Sequence, residues 1–368
     1  MDIIDKVILG DAKKVLFDFP EKCVDTCVTS PPYWGLRDYQ TSTWVGGNEN
    51  CSHRTSRDRR GEYGGKQETN VGSVVGSRDI KVNGACPMCG AIRKDLQIGL
   101  EQSLDEYVGS LVEVFEGIRY TLKDEGTVWL NIGDSYAGST GQSGGEGMST
   151  KNDMHVKHGS DKALRPASVA GLNAKNLIGV PWHVALALQK VGWYLRCDII
   201  WDKPNPMPDP VLDRPTRSHE YLFLFSKNKK YYYDVDSIRE PYTEDINRWG
   251  GEDLDANGKS IWDKGTGQNT YRDRKLRPNP LGKNKRSVWR INTRPTPEAH
   301  FATFPPDLII PCIKAGSPKD GLVMDPFMGS GTVAVVAKRL GRHYTGVELN
   351  PNYHKIINKR TCQRELFI

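Results

Sequence analysis

Short apolar, strand-like runs alternate with amphipathic helical patterns along most of this chain, and that alternation restricts it to a doubly wound α/β sheet, mostly parallel. "KVILGD" (6–11) and "VDTCVTS" (24–30) read as the first strands. "SLDEYVGSLVEVFEGIRYTL" (103–122) has apolar residues three and four apart, and Ser103 with Glu106 forms a capping box, so a helix is expected there. Strands follow at 126–136, 193–201 and 219–227, with a helix at 180–192. The C-terminal stretch reads helix (304–316), strand (321–327), helix (331–341), strand (343–349) and a closing helix from Pro351.

Three stretches break the rhythm and read as insertions. Residues 40–98 are polar and Gly-rich with clustered Cys and His, and 137–175 are too poor in apolar residues to pack, which predicts a flexible loop. Residues 239–300 are basic, with Trp262, Tyr271 and Trp289 interleaved, a mixture that suits base contacts by the aromatics beside phosphate contacts by Arg and Lys. The densest part, 272–290, holds eight Lys/Arg against one Asp. Such a run suits phosphate contacts or a solvated loop equally. No apolar run reaches the roughly 18 residues of a membrane span, no signal-peptide core is present, and the scattered cysteines do not form a disulfide framework. A cytoplasmic protein without a membrane partner is expected.

Two short motifs carry the chemistry. "DPFMGSGT" (325–332) ends a strand and opens a helix. Gly329 and Gly331 permit a tight turn and close ligand approach, and the helix start offers open N–H groups. About two dozen residues on, Glu348 ends the next strand, where a carboxylate accepts hydrogen bonds from a ribose diol. Asp325, Phe327, Ser330 and Thr332 complete a nucleoside-cofactor loop; without GK[ST] it is not a triphosphate loop. The second motif, "TSPPYWGLRDY" (29–39), follows the strand at 24–30.

In this order, "TSPPY" and "DPFMGSGT" resemble the motifs of β-class DNA amino-methyltransferases, which use S-adenosylmethionine (SAM). The resemblance covers most of the chain outside the insertions. It implies a seven-stranded, Rossmann-like methyltransferase sheet in circularly permuted order, with the N-terminal "VILGDA" supplying a strand beyond "GVELN". The catalytic half would comprise residues 1–39 and 99–238, target recognition 239–300, and the SAM-binding half 301–368. The resemblance also places Asp11 near the cofactor adenine, and Thr303 and Phe304 beside its methionine moiety. Double-stranded DNA is the implied partner, and homodimers occur in the family.

An exocyclic amino group is a weak nucleophile, and its hydrogens must be held by acceptors while its nitrogen becomes tetrahedral. Ser30 offers a hydroxyl oxygen and Pro31 a carbonyl, and neither Pro31 nor Pro32 has a competing N–H. Tyr33 can stack on a base flipped from the duplex, and Trp34 either extends that platform or packs beneath it. Ser in the first position resembles enzymes that make N4-methylcytosine; N6-adenine enzymes more often have Asp or Asn. Cytosine N4 is the favoured target, with adenine N6 as the alternative. RNA methylation and a zinc-containing DNA-binding module with a degenerate methylase core stand lower. Cys312, inside an apolar helical pattern, reads as structural and not as a C5-methylation nucleophile.

Cys51, His53, Cys86 and Cys89 form a C-x-H and C-x-x-C set, read as a closed, structural zinc-ribbon site. An insertion with so little apolar content would draw its folding energy from the metal.

Overall fold

In the computed structural model, the described residues are 2–35, 39, 41–48, 50–51, 85–86, 88–137, 172–209, 211–242, 279–294 and 304–362. The predicted flexible loop therefore falls almost wholly outside them, as do His53, Trp262, Tyr271 and Thr303.

The strands are β1 (Lys6–Leu9), β2 (Val24–Thr29), β3 (Thr43–Val45), β4 (Ile92–Lys94), β5 (Leu122–Ile132), β6 (Tyr194–Asp202), β7 (His219–Ser226), β8 (Val288–Arg290), β9 (Leu322–Asp325) and β10 (His343–Glu348). Eight form one sheet in the order β1-β10-β9-β2-β5-β7-β6-β8. Strands β1 to β5 in that spatial order run parallel, and β7 is antiparallel to both β5 and β6. The N-terminal strand pairs with β10 through Lys6 opposite Thr345 and Leu9 opposite Glu348, as the permuted order requires. Three strands were not foreseen: β3 and β4 pair with each other in a separate two-stranded sheet, and Val288–Arg290 adds an eighth strand to the large sheet, parallel to β6.

Alternating strand residues feed two cores. Cys27, Val128, Leu130, Ile132, Phe223 and Phe225 face helices α2 (Leu104–Thr121) and α3 (Val180–Lys190), reached also by Leu16 just after the short α1 (Ala12–Val15). Val28, Trp129, Leu222 and Leu224 face α4 (Pro306–Gly316), α5 (Thr332–Arg339) and α6 (Pro351–Cys362). This period-two division is what a strand buried on both faces produces.

The capping box forms at α2. Ser103 Oγ accepts from the Glu106 N–H at 3.2 Å, while the Glu106 carboxylate accepts from the Gln102 N–H at 3.1 Å, one residue earlier than the reciprocal bond of an ideal box. Cys312 is fully buried in α4, and burial pushes its thiol well above the ordinary range, as befits a structural cysteine.

Trp289 corrects the expectation of a DNA-facing aromatic. It is only 4% exposed, with its ring 6.4 Å from that of Trp129 and its Nε1 donating to the Arg286 carbonyl. Lys285 and Arg286 pair with Glu240 at 3.2 and 3.6 Å, so this part of the basic run folds onto the sheet edge. Among the described residues, no helix is long and apolar enough to cross a membrane.

Candidate active site

The parallel strands and β6 end at one edge of the sheet, where β7 begins, and a cavity of about 1050 Å³ opens there. Such an edge is where open α/β sheets hold their ligands. Ser30, Pro31, Pro32, Tyr33, Asp11, Phe304, Asp325, Phe327, Gly329, Ser330, Thr332 and Glu348 all line it, so residues almost three hundred positions apart share one chamber.

A buried hydrogen bond joins the two motifs. Thr29 Oγ1, at the end of β2, donates to Asp325 Oδ1 at 2.6 Å, and the Phe327 N–H donates to the same oxygen at 3.0 Å. Asp325 is 1% exposed, and burial pushes its carboxyl up to about 7 despite these donors.

In the glycine loop, the Gly329 N–H donates to Glu348 Oε2 and the Asn350 N–H to Oε1, both at 2.7 Å. Burial pushes Glu348 up to about 7, with those amides pulling the other way. Each oxygen keeps a second lone pair for a hydroxyl donor. Gly329 has a φ of 53°, and a Cβ there would meet only the Phe327 carbonyl at 3.8 Å, so the loop backbone stands open to a ligand. Gly331 differs from its expected role: it is absent from the cavity wall. A Cβ on it would lie 3.1 Å from Ile357, and its φ of 81° starts α5, so it serves close packing against α6. Asp11 caps α1 by accepting from the Lys13 N–H at 3.0 Å.

The loop after β2 is held by side chains. The Pro32 carbonyl accepts from the Tyr107 hydroxyl at 3.0 Å. Trp34 is 3% exposed, stacks on Tyr107 and donates to the Glu101 carbonyl; of its two readings, packing beneath the loop is the one realised. Tyr33 presents part of its ring to the cavity while its hydroxyl is enclosed, donating to Glu220 Oε2 at 2.7 Å and lying 3.2 Å from Asn131 Oδ1. Burial first, then the Glu220 charge, drives its phenol well above the ordinary range, while Ser30 hydrogen-bonds the same hydroxyl and opposes that shift. A Cβ on Gly133 would strike the Tyr33 ring at 2.7 Å, so glycine there gives the ring its place.

Sequence reading missed Thr29, Asn131, Lys203, Arg217 and Glu220. Lys203 pairs with Glu220 Oε1 and lies 4.3 Å from the Trp201 ring centre. Arg217 Nη1 is buried with no hydrogen-bond partner, 3.8 Å from Asp134 Oδ2. The available signal was a charge at the cavity end of an apolar strand run, in "WDK" and "SHEYLFLF".

Away from this chamber, Cys51, Cys86 and Cys89 bring their sulfurs within 4.8 Å of one another, with Cys51 and Cys86 3.8 Å apart. Four thiolates about 2.3 Å from a tetrahedral zinc stand about 3.8 Å apart, so the donor set fits that ion. The Asn48 and Ala91 backbone amides lower the Cys89 thiol to about 6. Short strands β3 and β4 form a two-stranded antiparallel sheet beside the cluster.

The DNA methylase family model matches residues 24–359. The type II methyltransferase M.SmaI of Serratia marcescens is 40% identical, over 98% of this chain and 91% of its own length. M.Cfr9I of Citrobacter freundii is 38% identical, over 95% and 85%. The structure of the PvuII DNA methyltransferase (cytosine-N4-specific) shares the fold, with a TM-score of 0.54 at 16% identity, covering 100% of this chain and 91% of the other. With the two motifs joined at one cavity and relatives matching over nearly its whole length, this chain belongs to the DNA methylase family that includes the type II methyltransferases.

Proposed function

We propose that the protein methylates the exocyclic N4 of a cytosine flipped out of double-stranded DNA, with SAM as methyl donor. The observation that carries the reading is Ser30 beside the Pro31 carbonyl on the wall of the cavity that Glu348 also lines. Glu348 accepts the ribose hydroxyls, Asp11 lies on the adenine side, and Phe304 and Phe327 flank the chamber. When bound, SAM supplies an electrophilic sulfonium methyl and a neutral thioether leaving group.

The chain's own part is to hold the amino group. Ser30 Oγ and the Pro31 carbonyl accept its hydrogens, which frees the nitrogen lone pair from the ring and aims it, and once the nitrogen carries the methyl it sheds one of those hydrogens as a proton to solvent. Tyr33 stays protonated, and its bond to Glu220 keeps the phenol end fixed while the exposed part of its ring meets the base. Stacking of about 1 to 3 kcal/mol offsets part of the unpairing cost. Arg217, which lines the cavity and pairs with Asp134 at 3.8 Å, is the donor we assign to an acceptor of the flipped nucleotide.

Incubation with methyl-labelled SAM and mixed DNA, followed by nucleoside digestion and mass spectrometry, tests the reading. Label on N4-methylcytosine is expected. Label confined to N6-methyladenine would replace cytosine by adenine on the same fold, and the absence of any transfer would remove the catalytic reading.

We further infer that Cys51, Cys86 and Cys89 hold a structural zinc, with His53, which lies outside the described residues, as the fourth ligand. Protein purified without chelator should carry one zinc per chain. A metal-free preparation that melts identically would contradict the assignment.

A further inference from the structure

The hairpin of β6 and β7 ends in a long loop that overhangs the cavity, closed at its base by the Lys203 N–H donating to the Ser218 carbonyl at 2.8 Å. Prolines at 204, 206 and 208 alternate with Asn205 and Met207, and each proline fixes its own φ and restricts the residue before it. The loop is also tied down on both sides. Asn205 exchanges two hydrogen bonds with the Thr293 backbone, at 2.9 and 3.2 Å. Arg214 pairs with Asp209 at 2.8 Å and lies 4.0 Å over the Tyr136 ring.

A loop so braced would ordinarily turn its apolar side chains inward. Met207 instead is 88% exposed, and with Pro206 and Pro208 it lines the cavity that holds Ser30. Lys203, Arg217 and Arg294 line the same cavity, each paired with a carboxylate, of Glu220, Asp134 and Asp307 in turn. A base that leaves its stack opens a gap in the duplex, and proteins that distort DNA fill such gaps with apolar wedges, Met among them.

Resting on the DNA-methylation reading above, we propose that Met207 is a wedge: it enters the duplex at the place vacated by the target base and so favours the flipped state. Its rigid mounting spares the ordering cost that a free loop would lose on insertion. Leu212 is fully exposed on the same loop but does not line the cavity, which assigns the role to Met207.

The test first maps the site that the wild-type protein methylates in genomic DNA by single-molecule sequencing; no modified site at all would fail the methylation reading itself, not the wedge. Single-turnover rates are then measured on a duplex carrying that site, and on the same duplex with an abasic nucleotide opposite the target. Met207→Ala should lose roughly tenfold on the paired duplex and under about threefold on the abasic one, where flipping is already cheap. Met207→Leu should stay near wild type on both, and SAM affinity should be unchanged in each variant. Equal losses on the two duplexes, no loss on the paired one, or a loss in Leu212→Ala with none in Met207→Ala would overturn the proposal.

Discussion

The loop after β2 and the loop after β9 leave neighbouring strands of one sheet and face one cavity, yet they are fixed by different means. Side chains hold the first: Tyr107 on the Pro32 carbonyl, Trp34 on Glu101, and Tyr33 on Glu220. Backbone amides hold the second, through Gly329 and Asn350 on Glu348. The contrast matches the demands on each. A loop that must approach a ligand with its own backbone needs glycine and a remote carboxylate. On the function proposed above, the other loop presents two acceptors to a reacting nitrogen and needs stiffness, which two prolines and three aromatic anchors supply.

If the division of labour is real, substitutions should separate transfer from cofactor binding. Ser30→Ala should lower the single-turnover rate by roughly 10²-fold, the scale of losing one positioned transition-state hydrogen bond, with SAM affinity retained. Glu348→Gln should do the reverse, weakening SAM binding by about 10- to 100-fold, as expected for hydrogen bonds to a charged group. Calorimetry with SAM reads the second effect, and rates at saturating SAM the first.

A third effect concerns pH. Burial raises the Glu348 carboxyl to about 7, so in the free protein it binds its proton below that pH and releases it above. The ionised form is the better acceptor for a diol, so SAM affinity should rise about tenfold between pH 6 and 8. The sign for folding is opposite. A raised folded-state value favours the native protein at low pH, and the stability from Glu348 and Asp325 is lost as pH climbs from the ordinary carboxylate range through about 7. Thermal melts of the free protein across that window check this; a flat melting temperature would mean that the two carboxyls are not so shifted.

Thr29→Val should give the smallest and least selective effect. It removes the hydroxyl that joins the loops and leaves a buried Asp325 oxygen with one donor, at a cost of about 1 to 3 kcal/mol in stability. Both rate and SAM affinity should drop severalfold together. A change in only one would show that the bond serves a single loop.

These differences also explain what could be read from the chain beforehand. The cofactor loop was legible because backbone conformation dictates its letters: glycine where φ is positive, and an acidic residue one strand away. The strand and helix order was legible because periodicity is local. The support behind Tyr33 was not. Asn131 and Glu220 meet because β5 pairs antiparallel with β7, setting Asn131 opposite Leu222 and Ile132 opposite Tyr221. No local pattern encodes that register. Trp289 misled for a related reason: among basic residues it resembled a nucleic-acid contact, whereas pairing of β8 onto β6 turns it into the core against Trp129. Gly331 looked like a ligand-approach glycine, but its neighbour is Ile357, a contact visible only once α6 is placed.

The most direct test of this account measures SAM affinity and single-turnover methyl transfer side by side on Ser30→Ala and Glu348→Gln. A crossed result is expected: the serine variant binds SAM like wild type and transfers slowly, while the glutamine variant binds weakly and, once saturated, transfers at nearly the wild-type rate. Parallel loss of binding and transfer in both variants would contradict it.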